Sequence, residues 1–295
     1  MNSLKILPID FNHPLVTRAK LKTFIRFVKW QIKSRIFHSN LVHSWVADSK
    51  FYVKKGETGL TQNIYVGLHE FNDMCFLLHL LRKEDNFIDV GANSGSYSIL
   101  AGSVIGARVL ALEPIPSTYL RLVSNFELNG IKSPSEARNI GIGSSPGKIY
   151  MTSFLDTTNR IVFDNESGQS IEVDIETLDL VASNIIPKLI KIDVEGWESE
   201  VIRGGSDILS NQGLLALIIE LNESGQRYGF SDSEILERLG RFGFYPYSYE
   251  PFERTLKLLQ GKNRNGGNTI FIRNLEEVNR RIQTSTRIEI FGNLI

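Results

Sequence analysis

The sequence predicts an α/β fold, in which a seven-stranded, mostly parallel sheet carries helices on both faces and an antiparallel strand at its edge. From Asn86 onward, short buried-strand patterns such as NFIDV and ARVLALE are each followed by a helical pattern. Two successive strand–helix units of this length imply crossover connections between parallel strands. The runs LIKIDV and LLALIIEL are largely apolar, which is typical of central parallel strands covered on both faces.

The following segments continue this alternation. Helices are expected near residues 97–105 and 117–129, and ARNIGIG supplies the next strand. Two short alternating segments, 148–151 and 170–174, predict a hairpin around a polar loop that could reach a substrate.

The last part of the main domain predicts one helix and an antiparallel pair of strands. SDSE at 231–234 is a capping-box pattern that begins a helix, and Gly243 is expected to end it. FYPYSY and NTIFIR then predict two strands whose short separation suits an antiparallel pair at the sheet edge. Residues 276–295 are polar and charged up to a short apolar end, and they are expected to be a tail.

An N-terminal extension, residues 1–62, precedes the main α/β domain at 63–275. Within it, residues 18–35 hold seven basic residues and no acid, and they predict a basic amphipathic helix. Its apolar residues at helical spacing are Leu21, Phe24, Ile25, Val28 and Ile32. We expect this helix to pack on the main domain with a solvated basic face. Contact with an anionic membrane or glycolipid surface is the alternative.

Composition and charge exclude several classes of protein. Lys plus Arg is 33 and Asp plus Glu is 33, so no global field attracts a polyanion, which argues against nucleic acid as a partner. The single cysteine, Cys75, excludes an internal disulfide and a multi-cysteine zinc site. The longest apolar runs are about eight residues, against the roughly 20 that a membrane-spanning helix needs. The N-terminus shows no secretory signal pattern, so a cytoplasmic protein is expected, with peripheral membrane contact as the alternative.

The segment FIDVGANSG lies where a ligand is expected. In an open α/β sheet, ligands bind beyond the carboxyl ends of the strands, beside the first strand. Gly91 and Gly95 allow the backbone to come close to a ligand. The helix that begins near Ser96 presents free N–H groups to an anion such as an amino-acid carboxylate. Asp89 is expected to bind the ligand there, with a simple turn cap as the alternative.

Glu113 ends the second strand, 24 residues after Asp89, where an acid is expected to bind a ribose diol. Dinucleotide sites share this arrangement, but they use the glycine pattern G-x-G-x-x-G around a pyrophosphate. Here the turn is GANSGS, with Asn93 where that pattern requires glycine, and the chain adds a strand pair at its end. The spacing therefore favours S-adenosylmethionine over a nicotinamide dinucleotide.

Three segments together resemble the FkbM family of S-adenosylmethionine-dependent methyltransferases: FIDVGANSGSYSILAG, LALEPIPSTYLRLVSNFELNG and LIKIDVEGWESEVIRGG. The resemblance spans about residues 63–273, and its most specific piece is KIDVEGWE at 191–198. It implies a Rossmann-like class I methyltransferase fold. It also implies transfer of a methyl group to oxygen, commonly a hydroxyl on a sugar or polyketide.

The residues expected to bind the cofactor share positions at or just after strand ends. They are Asp89, Gly91, Asn93 and Gly95 at the methionine end, Tyr97 in the following helix, Glu113 at the ribose, and Asn139 and Ile140 at the adenine. The assignment of these residues to the methionine, ribose and adenine parts of the cofactor is what the resemblance implies.

The fourth strand brings two carboxylates to the edge that carries the glycine turn. Asp193 is expected to contact the amino group of the cofactor, which leaves Glu195 as the candidate base for the acceptor hydroxyl. The alternative is that one of them caps the helix beginning near Trp197. The Trp197 ring offers a face for a sugar, although simple packing explains it equally well. His69, ahead of the lead-in helix, is a candidate substrate contact.

Three oxygen-bearing residues predict a further cofactor. Glu220 and Asn222, at the end of the next strand, could join Asp193 in binding Mg²⁺.

The function expected from the sequence is methylation of a sugar hydroxyl in a polysaccharide or glycolipid. A non-sugar small molecule such as a polyketide is one alternative acceptor. Methylation of nitrogen is disfavoured because DVEGW stands where such enzymes carry an Asn/Asp-Pro-Pro-aromatic turn. A binding module that has lost catalysis is the non-enzyme alternative, against which the intact acid, glycines and Glu113 argue.

Overall fold

The computed structural model describes residues 9–36, 41–53, 58–152, 159–162 and 170–295. Its α-helices are α1 (Pro14–Thr17), α2 (Lys20–Ile36), α3 (Thr58–Val66), α4 (Phe71–Leu80), α5 (Ser96–Ile99), α6 (Pro116–Leu128), α7 (Leu178–Val181), α8 (Glu198–Arg203), α9 (Ser206–Ser210), α10 (Asp232–Arg241) and α11 (Leu275–Thr284). A π-helical segment continues α5 over Leu100–Ile105, and 3₁₀ turns lie at Val46–Asp48 and Ser224–Tyr228.

The strands are β1 (Leu41–Ser44), β2 (Lys50–Val53), β3 (Asn86–Val90), β4 (Arg108–Leu112), β5 (Glu136–Arg138), β6 (Gly141–Gly143), β7 (Gly147–Thr152), β8 (Ile161–Val162), β9 (Ser170–Thr177), β10 (Pro187–Ile192), β11 (Ala216–Glu220), β12 (Tyr245–Glu250), β13 (Thr255–Leu258), β14 (Asn268–Ile272), β15 (Glu289–Ile290) and β16 (Asn293–Leu294).

The central sheet has the order β13-β12-β14-β11-β10-β3-β4-β5. The strands from β11 to β5 are parallel, whereas β14 is antiparallel to both of its neighbours. The predicted Rossmann-like, mostly parallel fold is confirmed. The sheet has eight strands rather than seven, because β13 folds back on β12 as a largely exposed hairpin. The antiparallel strand next to β11 in the sheet is β14. It lies inside the sheet rather than at the predicted edge, because β12 pairs on its other side.

Helices cover both faces of this sheet, as expected. Alternate strand residues point to opposite faces, so Phe87 and Leu189 join one apolar cluster while Ile88 and Ile190 join the other. The first cluster contains residues of α4, α6 and α11, and the second contains residues of α7 to α10. From β3 the chain first continues to β4 on one side of β3 and later returns as β10 on the other side. β3 therefore lies at the topological switch point, where a ligand is expected.

The predicted hairpin at 148–151 and 170–174 is present as β7 and β9, but it belongs to a separate four-stranded sheet of order β6-β9-β7-β8. ARNIGIG does not form one strand. It divides into β5 in the central sheet and β6 in the second sheet. Most of the polar loop expected to reach a substrate, residues 153–158 and 163–169, lies outside the described residues.

The predicted helix start at SDSE is confirmed by α10. The Ser231 side chain accepts a hydrogen bond from the Glu234 amide at 3.3 Å. Gly243, two residues beyond the last helical residue, has a φ of +82°, a backbone conformation that glycine adopts readily.

The predicted basic helix is present as α2, but the face that packs is opposite to the apolar stripe seen in the sequence. Thr23, Trp30 and Ser34 are buried, whereas Leu21 is 73% exposed. The Phe27 ring contacts the Tyr65 ring of α3 at 5.2 Å between centroids. The aromatic side chains of this face fill a small core shared with β2 and α3, so the aliphatic stripe points away from the domain.

The C-terminal segment, to which the sequence assigned no role, is folded against the domain. Val278 and Ile282 of α11 are buried, and the helix packs on α4. Arg281 forms an ion pair with Asp85 at 2.6 Å. The following hairpin buries Ile290. The spacing of Val278 and Ile282 was the signal for this helix, and it lay among many charges.

Among the described residues, no helix combines the length and apolarity that crossing a bilayer requires.

Candidate active site

A cavity of about 430 Å³ opens at the carboxyl ends of β3, β4, β10 and β11. This volume lies within the range of small-molecule sites. The loop before α4 and residues of α3 form one wall, and the apolar side chains of Ile149, Met151 and Ile161 from the second sheet form another. The residues predicted for the site that line it are Asp89, Gly91, Asn93, Tyr97, Glu113, Ile140, Asp193, Glu195, Trp197 and His69.

Gly91 begins the turn after β3 and cannot carry a side chain. Its φ is +77°, and a Cβ placed there would lie 1.9 Å from the backbone oxygen of Asp193. The backbone that follows β10 therefore packs directly against the turn that follows β3. Gly95, in contrast, is not among the cavity-lining residues; it precedes α5 and packs against Leu122 of α6.

Asp89 is 1% exposed and accepts a hydrogen bond from the Ser98 hydroxyl at 2.6 Å. Burial raises the pKa of Asp89, and the neighbouring Lys191 acts in the opposite direction. The carboxylate thus fastens β3 to the helix that follows while it also borders the cavity. Both the ligand-site and the structural interpretation of this residue are compatible with its position.

The Glu113 side chain reaches the glycine turn that follows β3. Its two oxygens accept backbone N–H bonds from Asn93 and Ile115, each at 2.9 Å. Each carboxylate oxygen can accept a second bond, so the group keeps capacity for two hydroxyls. Burial raises the pKa of Glu113 to about 7, although the two backbone bonds lower it. The position fits the predicted ribose contact.

Asn139 and Ile140, predicted at the adenine, have different environments. The Asn139 amide donates to the backbone oxygens of Glu113 and Pro114, at 2.9 and 2.8 Å. Of the two, Ile140 lines the cavity and Asn139 does not. Asn139 therefore holds the backbone after Glu113, and the apolar wall comes from Ile140.

Three carboxylates cluster at the ends of β10 and β11: oxygens of Asp193, Glu195 and Glu220 lie within 4.8 Å of one another. Burial, followed by repulsion from Asp193, raises the pKa of Glu195 to about 7. Burial and the charges of Asp193 and Glu195 raise the pKa of Glu220 well above its usual range. The cluster therefore favours bound protons or a bound cation.

Asn222, predicted as a third magnesium ligand, does not line the cavity. Its side chain is exposed and accepts a hydrogen bond from the Ser224 amide at 2.9 Å. It caps the turn after β11, whereas Glu195 lies in the acidic cluster with Asp193 and Glu220.

Glu198 holds the turn that presents the acidic cluster. Its Oε1 accepts N–H bonds from Val194 and Gly196 at 3.2 and 3.1 Å. The residue before α8 is Trp197, which makes no capping bond through its side chain. Neither Asp193 nor Glu195 caps α8, so both are free to face the cavity.

Lys191, which sequence reasoning missed, is the cation beneath this cluster. It is 3% exposed, and its ammonium lies 2.6 Å from Asp193 and 4.8 Å from the centre of the Tyr97 ring. Burial alone would lower the pKa of Lys191, but Asp193, Glu70 and Asp89 raise it. A lysine within an otherwise apolar strand was the available signal.

The remaining predicted residues lie toward the opening. Trp197 packs edge-on against the rings of Tyr228 and Phe230, at 5.3 and 5.8 Å between centroids. His69 is exposed at the rim, and its backbone N–H is bound by Asn63. Packing orients the Trp197 ring along the wall, whereas His69 keeps its side chain toward solvent.

Asn125, a second residue that sequence reasoning missed, ties the glycine turn to the N-terminal extension. It is fully buried, donates to the Ser94 backbone oxygen at 2.7 Å and accepts from the Tyr52 amide of β2 at 2.8 Å. Its neighbour Asn129 bonds the same strand through Lys50 at 2.8 and 2.6 Å, without contacting the turn.

This pair gives a matched prediction. We expect Asn125→Ala to lower the free energy of unfolding by about 1–3 kcal/mol, because it leaves the partly buried Tyr52 N–H and Ser94 carbonyl without their partner. We also expect it to weaken binding of S-adenosylhomocysteine, since Ser94 belongs to the turn. Asn129→Ala should lower stability only. Denaturant unfolding and calorimetric titration measure the two effects, and equal loss of affinity in both variants would contradict the role of Asn125.

The buried carboxyls predict an unusual pH dependence of stability. A carboxyl whose pKa is raised on folding stabilises the protein below its ordinary pKa, and this contribution is lost as the pH rises through the folded value. Burial raises the pKa of Glu198 from 4.5 to about 7, although backbone bonds lower it. We expect the ligand-free protein to melt at a lower temperature at about pH 8 than at about pH 5.

Glu198→Gln tests this prediction, because the amide oxygen can still accept the bonds from Val194 and Gly196. The melting temperature should then fall less between the two pH values. Glu237→Gln removes an exposed carboxylate and serves as the control. An unchanged slope in Glu198→Gln would show that this group does not carry the effect.

The chain resembles known methyltransferases in sequence. Residues 89–246 match the family described as Methyltransferase FkbM domain. The chain is 30% identical over 151 residues to Hexuronic acid methyltransferase AglP of Haloferax volcanii, a match covering 50% of this chain and 59% of that protein. It is 28% identical over 169 residues to Methyltransferase sdnD of Sordaria araneosa, covering 45% and 65%. Both matches span less than two thirds of the relative's length.

Solved structures resemble the chain at low overall similarity. SMU.1697c of Streptococcus mutans, in complex with SAH, has a TM-score of 0.41 at 13% identity and covers 68% of this chain and 96% of that chain. An rRNA methylase of Streptococcus thermophilus has a TM-score of 0.39 at 14% identity and covers 68% and 91%. The fold assignment therefore rests on the strand order and directions described above.

Proposed function

The chain belongs to the FkbM methyltransferase domain family, and on this premise we propose that it is an S-adenosylmethionine-dependent O-methyltransferase. Its acceptor would be a hydroxyl of a sugar in a polysaccharide or glycolipid. The observation that carries the proposal is the acidic cluster, in which Glu195 faces the same cavity as the Gly91 turn and Glu113.

The residues present fit the cofactor in three respects. Gly91 lines the cavity, and because it has no side chain the Asp193 backbone can lie against the turn, which brings both segments to one wall of the site. Glu113 keeps two acceptor positions for a ribose diol. Asp193 and its neighbours supply negative charge for a sulfonium. When bound, the cofactor supplies an electrophilic methyl group, whose bond to sulfur breaks as the acceptor oxygen bonds to it.

Glu195 is the proposed base that takes the proton of the acceptor hydroxyl. General bases work best when their pKa lies near the operating pH, and burial raises the pKa of Glu195 to about 7. Asp193 is ion-paired to Lys191 and is therefore the weaker candidate for this role. We propose that Asp193 instead contacts the cofactor's amino group and that Lys191 positions Asp193.

Two observations support a sugar as the acceptor. The Trp197 ring lines the cavity and offers an apolar face on which a sugar can stack. The relative AglP is named for action on a hexuronic acid.

Methyl transfer from isotopically labelled cofactor tests the proposal. The purified protein is incubated with extracted glycans, glycolipids and a set of polyketides, and the label is located by mass spectrometry. We expect an alkali-stable methyl ether on a sugar; an alkali-labile ester would move the acceptor atom to a carboxylate. Label in a non-sugar product would favour the alternative acceptor. If calorimetry detected no binding of S-adenosylhomocysteine, the binding-module alternative would replace the enzyme.

Mg²⁺ is the alternative occupant of the acidic cluster. Asp193, Glu195 and Glu220 are oxygen ligands of the kind that Mg²⁺ prefers. Loss of turnover in EDTA, restored by Mg²⁺, would assign the metal; turnover that resists the chelator would favour a proton-sharing cluster. The cytoplasmic location expected from the sequence stays a prediction, which cell fractionation would test.

A further inference from the structure

The stripe of α2, which we define as Leu21, Phe24, Ile25, Val28, Ile32 and Ile36, is an apolar surface without a covering element among the described residues. Five of its six side chains are between 43% and 73% exposed, and Val28 is half-buried. They recur at spacings of three or four residues along a helix of 17 residues, which is about 25 Å long. The opposite face packs on the protein through Thr23, Trp30 and Ser34.

Basic side chains border this stripe. Lys22, Lys29 and Lys33 recur along one edge and are exposed, as is Lys20 on the other side. Residues 18–35 hold 7 of the 33 basic residues and none of the 33 acids, so the rest of the chain has 26 basic residues against 33 acids. Positive charge is therefore concentrated on the helix that exposes the stripe.

Not all of these bases are available to a partner. Arg26 donates to the Tyr65 backbone oxygen and lies over the Phe291 ring at 3.8 Å, and Arg18 lies over the Phe252 ring at 3.9 Å. These two arginines fasten the helix to the domain. The lysines flanking the stripe are left facing solvent.

We propose that α2 docks this protein on an anionic lipid surface, with the stripe inserted among the headgroups and the lysines against lipid phosphates. An apolar helix face bordered by lysines is the pattern of helices that lie in a membrane interface. The rest of the chain, net acidic, is repelled by the same surface, so the charge distribution favours one orientation. A dimer through the same stripe is the alternative that the experiment separates.

The docking surface is separate from the cavity. α2 packs on α3, which borders the cavity through Leu60, Gln62 and Asn63, but no residue of α2 lines the cavity. Lipid binding and cofactor binding can therefore be measured independently, and the failure of one leaves the other intact.

Co-sedimentation with vesicles tests the proposal on the full chain. Vesicles of phosphatidylcholine alone are compared with vesicles that also contain phosphatidylglycerol. We expect binding to the anionic vesicles only, weakened by salt. The triple change Lys22→Gln, Lys29→Gln, Lys33→Gln should lower partitioning about a hundredfold, at about fivefold for each lysine. The triple change Leu21→Gln, Ile25→Gln, Ile32→Gln should abolish binding.

A matched control changes three exposed apolar residues elsewhere: Leu120→Gln, Leu180→Gln, Ile186→Gln, at sites 64%, 57% and 52% exposed. This variant should bind vesicles like the unaltered protein. Titration with S-adenosylhomocysteine, expected to be unchanged in every variant, verifies folding. Absence of binding to anionic vesicles would overturn the proposal. Equal loss of vesicle binding in the control variant would also overturn it. A dimer seen in sedimentation equilibrium and disrupted by Leu21→Gln, Ile25→Gln, Ile32→Gln would overturn it as well.

Discussion

Glu195→Gln is expected to slow methyl transfer by about 10²–10⁴-fold, because the acceptor hydroxyl then loses the group proposed to take its proton. The amide is nearly the same size as the carboxylate, so affinity for the cofactor should change little. In the unaltered protein, turnover should rise with pH through about 7, where the raised pKa of Glu195 converts the acid to the base. That rise should disappear in the variant.

The control for this experiment is Glu237→Gln, which removes an exposed carboxylate of α10. Rapid-quench kinetics under saturating cofactor separate the chemical step from binding. Near-normal turnover in Glu195→Gln would remove Glu195 from the proposed role. Retention of the pH-dependent rise with a reduced rate would assign the base to another group of the acidic cluster, with Asp193→Asn as the next variant.

Glu113→Ala is expected to weaken binding of S-adenosylhomocysteine by about 10²–10⁴-fold, the effect of losing two charge-assisted hydrogen bonds to the ribose. Turnover at saturating cofactor should fall much less, because Glu113 follows β4, which β3 separates from β10 and the acidic cluster. Calorimetric titration measures the affinity directly.

Loss of Glu113 also leaves the backbone amides of Asn93 and Ile115 unpaired, so stability must be separated from binding. Asp179→Ala is a matched control. Asp179 also accepts two backbone N–H bonds, from Asp207 and Ile208 at 3.0 and 2.9 Å, but it does not line the cavity. If both variants lowered the affinity equally, destabilisation rather than a ribose contact would explain the result.

The sequence predicted the cavity well because it depends on strand ends. Gly91, Glu113 and Asp193 each follow a buried strand of a parallel sheet, and the carboxyl ends of such strands meet at one edge. Positions along the chain were therefore enough to bring these residues together. The same reasoning placed Glu220 beside Asp193, although the two are separated by a helical region.

What the sequence could not predict depends on contacts between distant side chains. A helical pattern shows that α2 has an apolar stripe, but only the rings of Phe27 and Trp30 against α3 decide which face is buried. Asn139 stood at a strand end like the true lining residues, yet its amide bonds turn it away from the cavity. The hydrogen bonds of Asn125 join residues 73 and 31 positions away and leave no local pattern.

The two bonds of Asn125 have a thermodynamic consequence. One side chain bonds both β2, in the N-terminal extension, and the backbone of the cofactor turn. If ordering of the β1–β2 hairpin strengthens ligand binding at the turn, ligand binding must stabilise the hairpin by the same free energy, because such coupling is reciprocal. Occupancy of the cavity should therefore slow amide hydrogen exchange at Tyr52. This measurement tests whether the extension outside the family match contributes free energy to binding in the cavity.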